Sequence, residues 1–203
     1  MEDSQMQDKT LNEKESLALI AQMIQNSQKR LERGAGGQML VWGYATIFAT
    51  IAVWVAFHLT GNYNWNFLWF LIPVIGYPYI VFKSRQPKLV KTYIDKVIRY
   101  IWMVVGITGF FLSAATIFSF MWAFPILFVV ILMMGMGSML TGLVTEFKPS
   151  VIGAFVGILI GFVNYLVPDY DVKMLTFALA FICIDIIPGH ILNYRAQKRC
   201  SKN

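Results

Sequence analysis

Charge is what this chain has least of. Asp, Glu, Lys and Arg make up 14% of its 203 residues, against 57% hydrophobic, whereas soluble domains carry roughly 25% charged residues. That deficit excludes an ordinary soluble domain, although the length alone would allow one or two. Cysteine is scarce as well. Cys183 lies inside an apolar run and Cys200 in a basic tail, so they sit at different depths and make no disulfide framework. There is no CxxC and no Cys/His metal spacing, and neither metal nor cofactor is expected. No secretory leader is expected either, because the first 38 residues are polar and the first apolar run is too long for an h-region. The net charge is +6, but the basic residues flank apolar runs instead of forming one stripe, which argues against nucleic acid as a partner.

What is present is hydrocarbon in long runs. A spanning helix needs about 20 mostly apolar residues. Six runs qualify: Met39–Leu59, Asn66–Phe82 (interrupted by Pro73 and Pro78), Val97–Phe118, Trp122–Val144, Pro149–Val167 and Met174–Leu192. Only Ser119, Phe120 and Met121 separate the third from the fourth, so Pro125 is expected to start a new helix after a tight turn. The expected fold class is all-α: a polytopic membrane protein of six transmembrane helices in a lipid bilayer, with an N-terminal cytoplasmic amphipathic helix. Residues 1–37 hold that helix, 38–193 the bundle and 194–203 a basic cytoplasmic tail.

Lys and Arg set the orientation. With both termini inside, 16 of the 17 basic residues are cytoplasmic, and Lys173 alone is outside. Aromatic rings favour the headgroup level. Tyr63, Trp65, Trp69, Trp122, Tyr165 and Tyr170 fall at the outer interface, and Trp42, Tyr79, Tyr100, Trp102 and Tyr194 at the inner one.

The segment before the first span predicts a helix over about Asn12 to Arg33. Asn12 and Glu15 resemble a capping box, and Leu17, Ile20, Ile24 and Leu31 form one apolar stripe. Gly34-Ala35-Gly36-Gly37 is expected to end the helix just before the membrane. Such a helix either lies on the inner leaflet, with Lys29, Arg30 and Arg33 against anionic lipid, or docks a cytoplasmic protein partner or a second subunit. The basic run KSRQPKLVKTYIDKVIR is read as a second interfacial segment that feeds the third helix.

EKESLALIAQMI, GAGGQMLVWGY, WNFLWFLIP and IIPGHILN, which sample most of the chain, resemble a family of small multi-pass membrane proteins of Bacteroides-type bacteria for which no activity is established. The resemblance implies a bacterial inner-membrane location and transfers no functional residue.

Two features could carry function. Gly153, Gly157 and Gly161 recur every fourth residue, which puts them on one helix face. Small residues let backbones approach closely in lipid, so this face either packs the fourth, fifth and sixth helices together or forms the seam of a homo-oligomer. The second feature is Asp185, in the middle of FICIDIIPGHIL. A charge at mid-bilayer costs about 2.5–3.5 kcal/mol on insertion scales. No Lys or Arg lies deep in any of the six runs, so the neutral acid is expected. Depth alone offers Thr46, Tyr77, Ser138 and Thr141 as its partners. Pro188 frees the carbonyl of Ile184 and is expected to kink the helix there. His190 is expected on a different face, against headgroups, and His58 lies too far away in depth for the two to share a metal.

Asp185 is therefore either a structural, hydrogen-bonded acid or a proton or cation site. Catalysis is disfavoured because no nucleophile, metal or second intramembrane aspartate accompanies it. The functional expectation is a non-enzymatic membrane protein, regulatory or sensory through its N-terminal helix. The alternative is a small transporter or channel, dimeric or not, with its ion site at Asp185.

Overall fold

In the computed structural model, residues 13–84, 93–118 and 124–200 are described, and every regular element among them is helical. The Asn12 cap, residues 85–92 of the basic segment, Trp122 and the last residues of the tail lie outside the described residues.

The first helix, α1 (Glu13–Thr60), runs unbroken for 48 residues, about 72 Å at 1.5 Å per residue. The expected break at Gly34–Gly37 is not there. A glycine in a helix interior costs roughly 1 kcal/mol relative to alanine, but here neighbouring helices come too close for side chains. A Cβ on Gly36 would lie 2.6 Å from Asn193 Oδ1 and 3.0 Å from the Gly189 carbonyl, and one on Gly37 would lie 2.5 Å from the Tyr79 hydroxyl. The glycines serve helix crossings in place of a hinge, and residue 37 is not a backbone boundary.

At the far end of α1, Gly61 takes φ +64, where a residue with a side chain would be strained. Asn62 then caps a 3-10 segment (Tyr63–Phe70), its side chain accepting from the Asn64 amide at 2.9 Å. The helix α2 (Leu71–Ser84) follows. Pro73 sits in its first turn, where a missing N–H costs nothing. The second apolar run is thus part 3-10 and part α. Its α-helical part, 14 residues, is only about 21 Å long. Among the described residues five helices, not six, are by themselves long and apolar enough to cross a membrane: Gly36–Thr60, Tyr93–Thr116, Ile126–Val144, Lys148–Leu166 and Tyr170–Lys198.

Helix α3 (Tyr93–Phe118) packs on α4 (Ile126–Val144), which opens behind Pro125. A tight turn joins α4 to α5 (Lys148–Leu166), with Glu146 at φ 55 and the Phe147 amide donating to the Gly142 carbonyl at 2.8 Å. Glycines bring this pair together. A Cβ on Gly135 would lie 2.6 Å from Ile158, on Gly142 2.9 Å from Val151, and on Gly161 2.8 Å from Ile131.

The last run is one helical rod in three parts: α6 (Tyr170–Phe181), a π segment (Ile182–Ile186) and α7 (Ile187–Cys200). Asp169 caps it, accepting from the Val172 amide at 3.0 Å. The tail expected from residue 194 is helical through Cys200, because nothing after Gly189 breaks the helix and Arg195 lies over the Phe147 ring at 5.4 Å. This rod packs antiparallel to α1 on one side and against α5 on the other. Ile131, Phe177, Ala180, Phe181 and Ile184 form the core between α4, α5 and α6. Trp69 covers it from the 3-10 segment, edge-on to Phe177 at 5.3 Å.

Candidate functional site

The last rod changes its hydrogen-bond register at one place. The Ile187 amide donates to the Ile182 carbonyl, one residue further back than an α-helix would reach. Pro188 has no N–H to offer Ile184. Cys183 and Ile184 therefore lose their usual helical donors. The Cys183 carbonyl turns toward α5 and presses on Gly153 so closely that no side chain could stand there, while Pro188 Cγ closes the same spot, 3.0 Å from where a Cβ would be. The sequence feature read as a kink is thus a π segment, and a glycine on α5 receives its displaced backbone.

Ile184 and Asp185 are both buried, but they point to different helices. Ile184 fills the space beside Gly157 on α5, whereas Asp185 faces α1. A Cβ on Gly43 would lie 3.1 Å from Asp185 Cβ and 2.9 Å from Ile186 Cγ1, so only glycine lets the acid-bearing segment seat there. Asp185 is 2% exposed, and its Oδ2 has no hydrogen-bond partner among the described residues. An ionised, unpaired carboxylate at such a place costs several kcal/mol.

Of the four partners suggested by depth, one lies on the face of α1 that meets this segment. Thr46 is buried one turn from Gly43, and its carbonyl accepts the Thr50 hydroxyl at 2.7 Å. Tyr77 is 67% exposed and turned away from the interior. The reason lies next to it: α2 approaches α1 through Gly76, where a Cβ would lie 2.6 Å from the Trp42 ring, so the following side chain faces outward. Thr141 donates to the Gly137 carbonyl of its own helix at 2.7 Å. Ser138 is buried on the face of α4 that meets α5; its carbonyl accepts the Ser150 hydroxyl at 3.2 Å, and its own Oγ has no partner among the described residues. Gly153 and Gly157 lie against the π segment and Gly161 against Ile131 of α4, so the three glycines serve two neighbours.

Other polar contacts were not anticipated. His190, expected at headgroups, meets the Tyr44 hydroxyl at 2.8 Å across the α1–α7 seam. Asn164 is buried and donates to the Lys173 carbonyl at 2.7 Å and to the Thr176 hydroxyl at 2.8 Å, which ties α5 to α6. At the other end of α1, Trp54 Nε1 donates to Asp171 Oδ1 at 2.9 Å. The seven-residue spacing of Gly36, Gly43 and Thr50 could have revealed the buried face of α1. No protein-family model, no curated protein and no solved structure matches the chain.

Proposed function

We propose that this is a non-enzymatic integral membrane protein of regulatory or sensory type, which relays the state of the Asp185 site to the cytoplasm through α1. The observation that carries the reading is the continuity of α1. The helix that seats the π segment at Gly43 runs without a break to Glu13. The part before Gly36 adds 23 residues, roughly 35 Å of helix. A movement at Gly43 is carried to that far end, because a hydrogen-bonded helix has no soft joint. In this reading the extension docks a cytoplasmic protein partner or a second subunit.

Six crossings complete the proposal. Residues 63–84 run back along α1, with Gly76 at Trp42 and Tyr79 at Gly37. Eight residues of 3-10 and fourteen of α-helix give roughly 37 Å, enough for a hydrocarbon core of about 30 Å. Both ends of the chain then share the cytoplasmic side with 16 of the 17 basic residues. The family resemblance adds a bacterial inner membrane.

The second reading is a small transporter or channel, and the π segment favours it. An interrupted helix beside an intramembrane acid is how ion sites are built in many carriers. Asp185 would exchange a proton or cation there.

One comparison separates these readings. Amide exchange over residues 13–35 is followed in the full-length protein in nanodiscs at several pH values, beside Asp185→Asn, and proton flux is followed in proteoliposomes. The relay predicts pH-dependent exchange in the parent that the variant loses, without flux. The transporter predicts flux that the variant loses. A parent with neither property refutes both.

A further inference from the structure

We infer that the end of the bundle where α5 begins seats an anionic phospholipid, its headgroup at Lys148 and Arg195 and an acyl chain along α5. The turn that joins α4 to α5 lies between two helices able to cross a membrane, Ile126–Val144 and Lys148–Leu166. In a bilayer it therefore stands at the level of the headgroups. Phe147, in this turn, is buried, and the Arg195 guanidinium of α7 lies over its ring at 5.4 Å. Lys148 follows Phe147 directly, so both cations border one aromatic side chain, and both are exposed. Lys198, also exposed, is one turn beyond Arg195 on the same face of α7.

These charges are not answered within the protein. Among the described residues, none of Lys148, Arg195 and Lys198 has an ion pair. Neither α5 nor α7 carries an acid. Glu146, exposed in the same turn, is the nearest acid in sequence, and it too is unpaired among the described residues. Three cations against one acid leave the place positive. Stacking on Phe147 holds the plane of the Arg195 guanidinium and leaves its N–H edge free. That edge matches two oxygens of a phosphodiester. Basic pockets between membrane helices recognise anionic headgroups in this way.

The face of α5 that bears Lys148 selects a lipid over other anions. Ile152, Phe155, Leu159, Phe162 and Leu166 follow Lys148 at alternating steps of three and four, so they share its face. Each is at least 50% exposed. A continuous apolar track thus starts at the cation and runs the length of the helix. A free phosphate or an acidic peptide would use the charges and leave the track. An anionic phospholipid uses both, because its phosphodiester and its acyl chain are joined in that order from headgroup level inward.

The test is native mass spectrometry of the full-length protein, equilibrated in detergent with an equimolar mixture of phosphatidylglycerol and phosphatidylcholine of the same acyl chains. The parent should retain phosphatidylglycerol in preference. Arg195→Gln and Lys148→Gln should each lower that preference about fivefold, the worth of one basic residue at an anionic lipid surface. Lys173→Gln, at the opposite end of the bundle, should leave it unchanged. Inorganic phosphate in large excess should not displace the lipid. Equal retention of the two lipids by the parent overturns the seat and leaves the cations to an acidic protein partner. A preference that survives both Arg195→Gln and Lys148→Gln, or that falls as far in Lys173→Gln, overturns it as well. Displacement by inorganic phosphate would assign the cations to a free anion and overturn the lipid.

Discussion

Gly153→Ala and Gly106→Ala are the same change on two helices, and the structure gives them opposite signs. At Gly153 the new methyl meets the Cys183 carbonyl, which is backbone, and Pro188. Neither is the end of a flexible side chain, so α5 or the π segment must move. Overpacking of this kind costs typically 1–3 kcal/mol, and a backbone obstacle belongs in the upper part of that range. Replacing a helical glycine by alanine returns about 0.5–1 kcal/mol. The net loss is about 1–2 kcal/mol, or roughly 2–8 °C in melting temperature for a chain of this size. At Gly106 of α3, nothing lies within 4 Å of the new methyl. Only the helix-propensity gain remains there, a rise of roughly 1–4 °C. Thermal melts of both variants in the same detergent, followed by helical signal, decide the matter. A Gly153→Ala protein as stable as its parent, or a Gly106→Ala protein destabilised as much as Gly153→Ala, would refute the close approach of the π segment to α5.

Gly157→Leu should be more damaging, since its side chain would enter the space of Ile184; unchanged melting and unchanged assembly would place the glycine face against lipid. Asn164→Leu should lower stability by about 1–2 kcal/mol through loss of two interhelical hydrogen bonds, whereas Tyr77→Phe, on an exposed face, should leave melting unchanged. Cysteine labelling should find position 62 accessible from outside and positions 86 and 200 from the cytoplasm; reversal at position 86 alone would sink the six-crossing proposal. Asp185→Asn should fold like the parent, while Asp185→Leu should melt lower; equal melting of both would remove the case for a polar interior at that position.

Five long apolar helices and their approximate limits were legible in the sequence because a bilayer imposes a length and a polarity on any segment able to cross it. That constraint acts locally, and residue runs report it. The polarity of Asp185 and the disturbance at Pro188 were legible for the same reason: an acid and a missing N–H stand out in any apolar helix. What each of them faces was decided by tertiary structure. Glycines illustrate the difference. Gly34–Gly37 reads as a break when only propensity is weighed, yet Gly36 and Gly37 stay helical because α7 and Tyr79 occupy the space their side chains would need. Tyr77 shares a depth with Asp185 but is turned outward by the Gly76–Trp42 contact. Depth is a coordinate the sequence supplies; azimuth around the bundle depends on which small residues meet across helices. The pairing of His58 with Asp171 lies further still from the sequence, since 113 positions separate them. Only the antiparallel packing of α1 along the last rod brings the His58 ring to the Asp171 carboxylate.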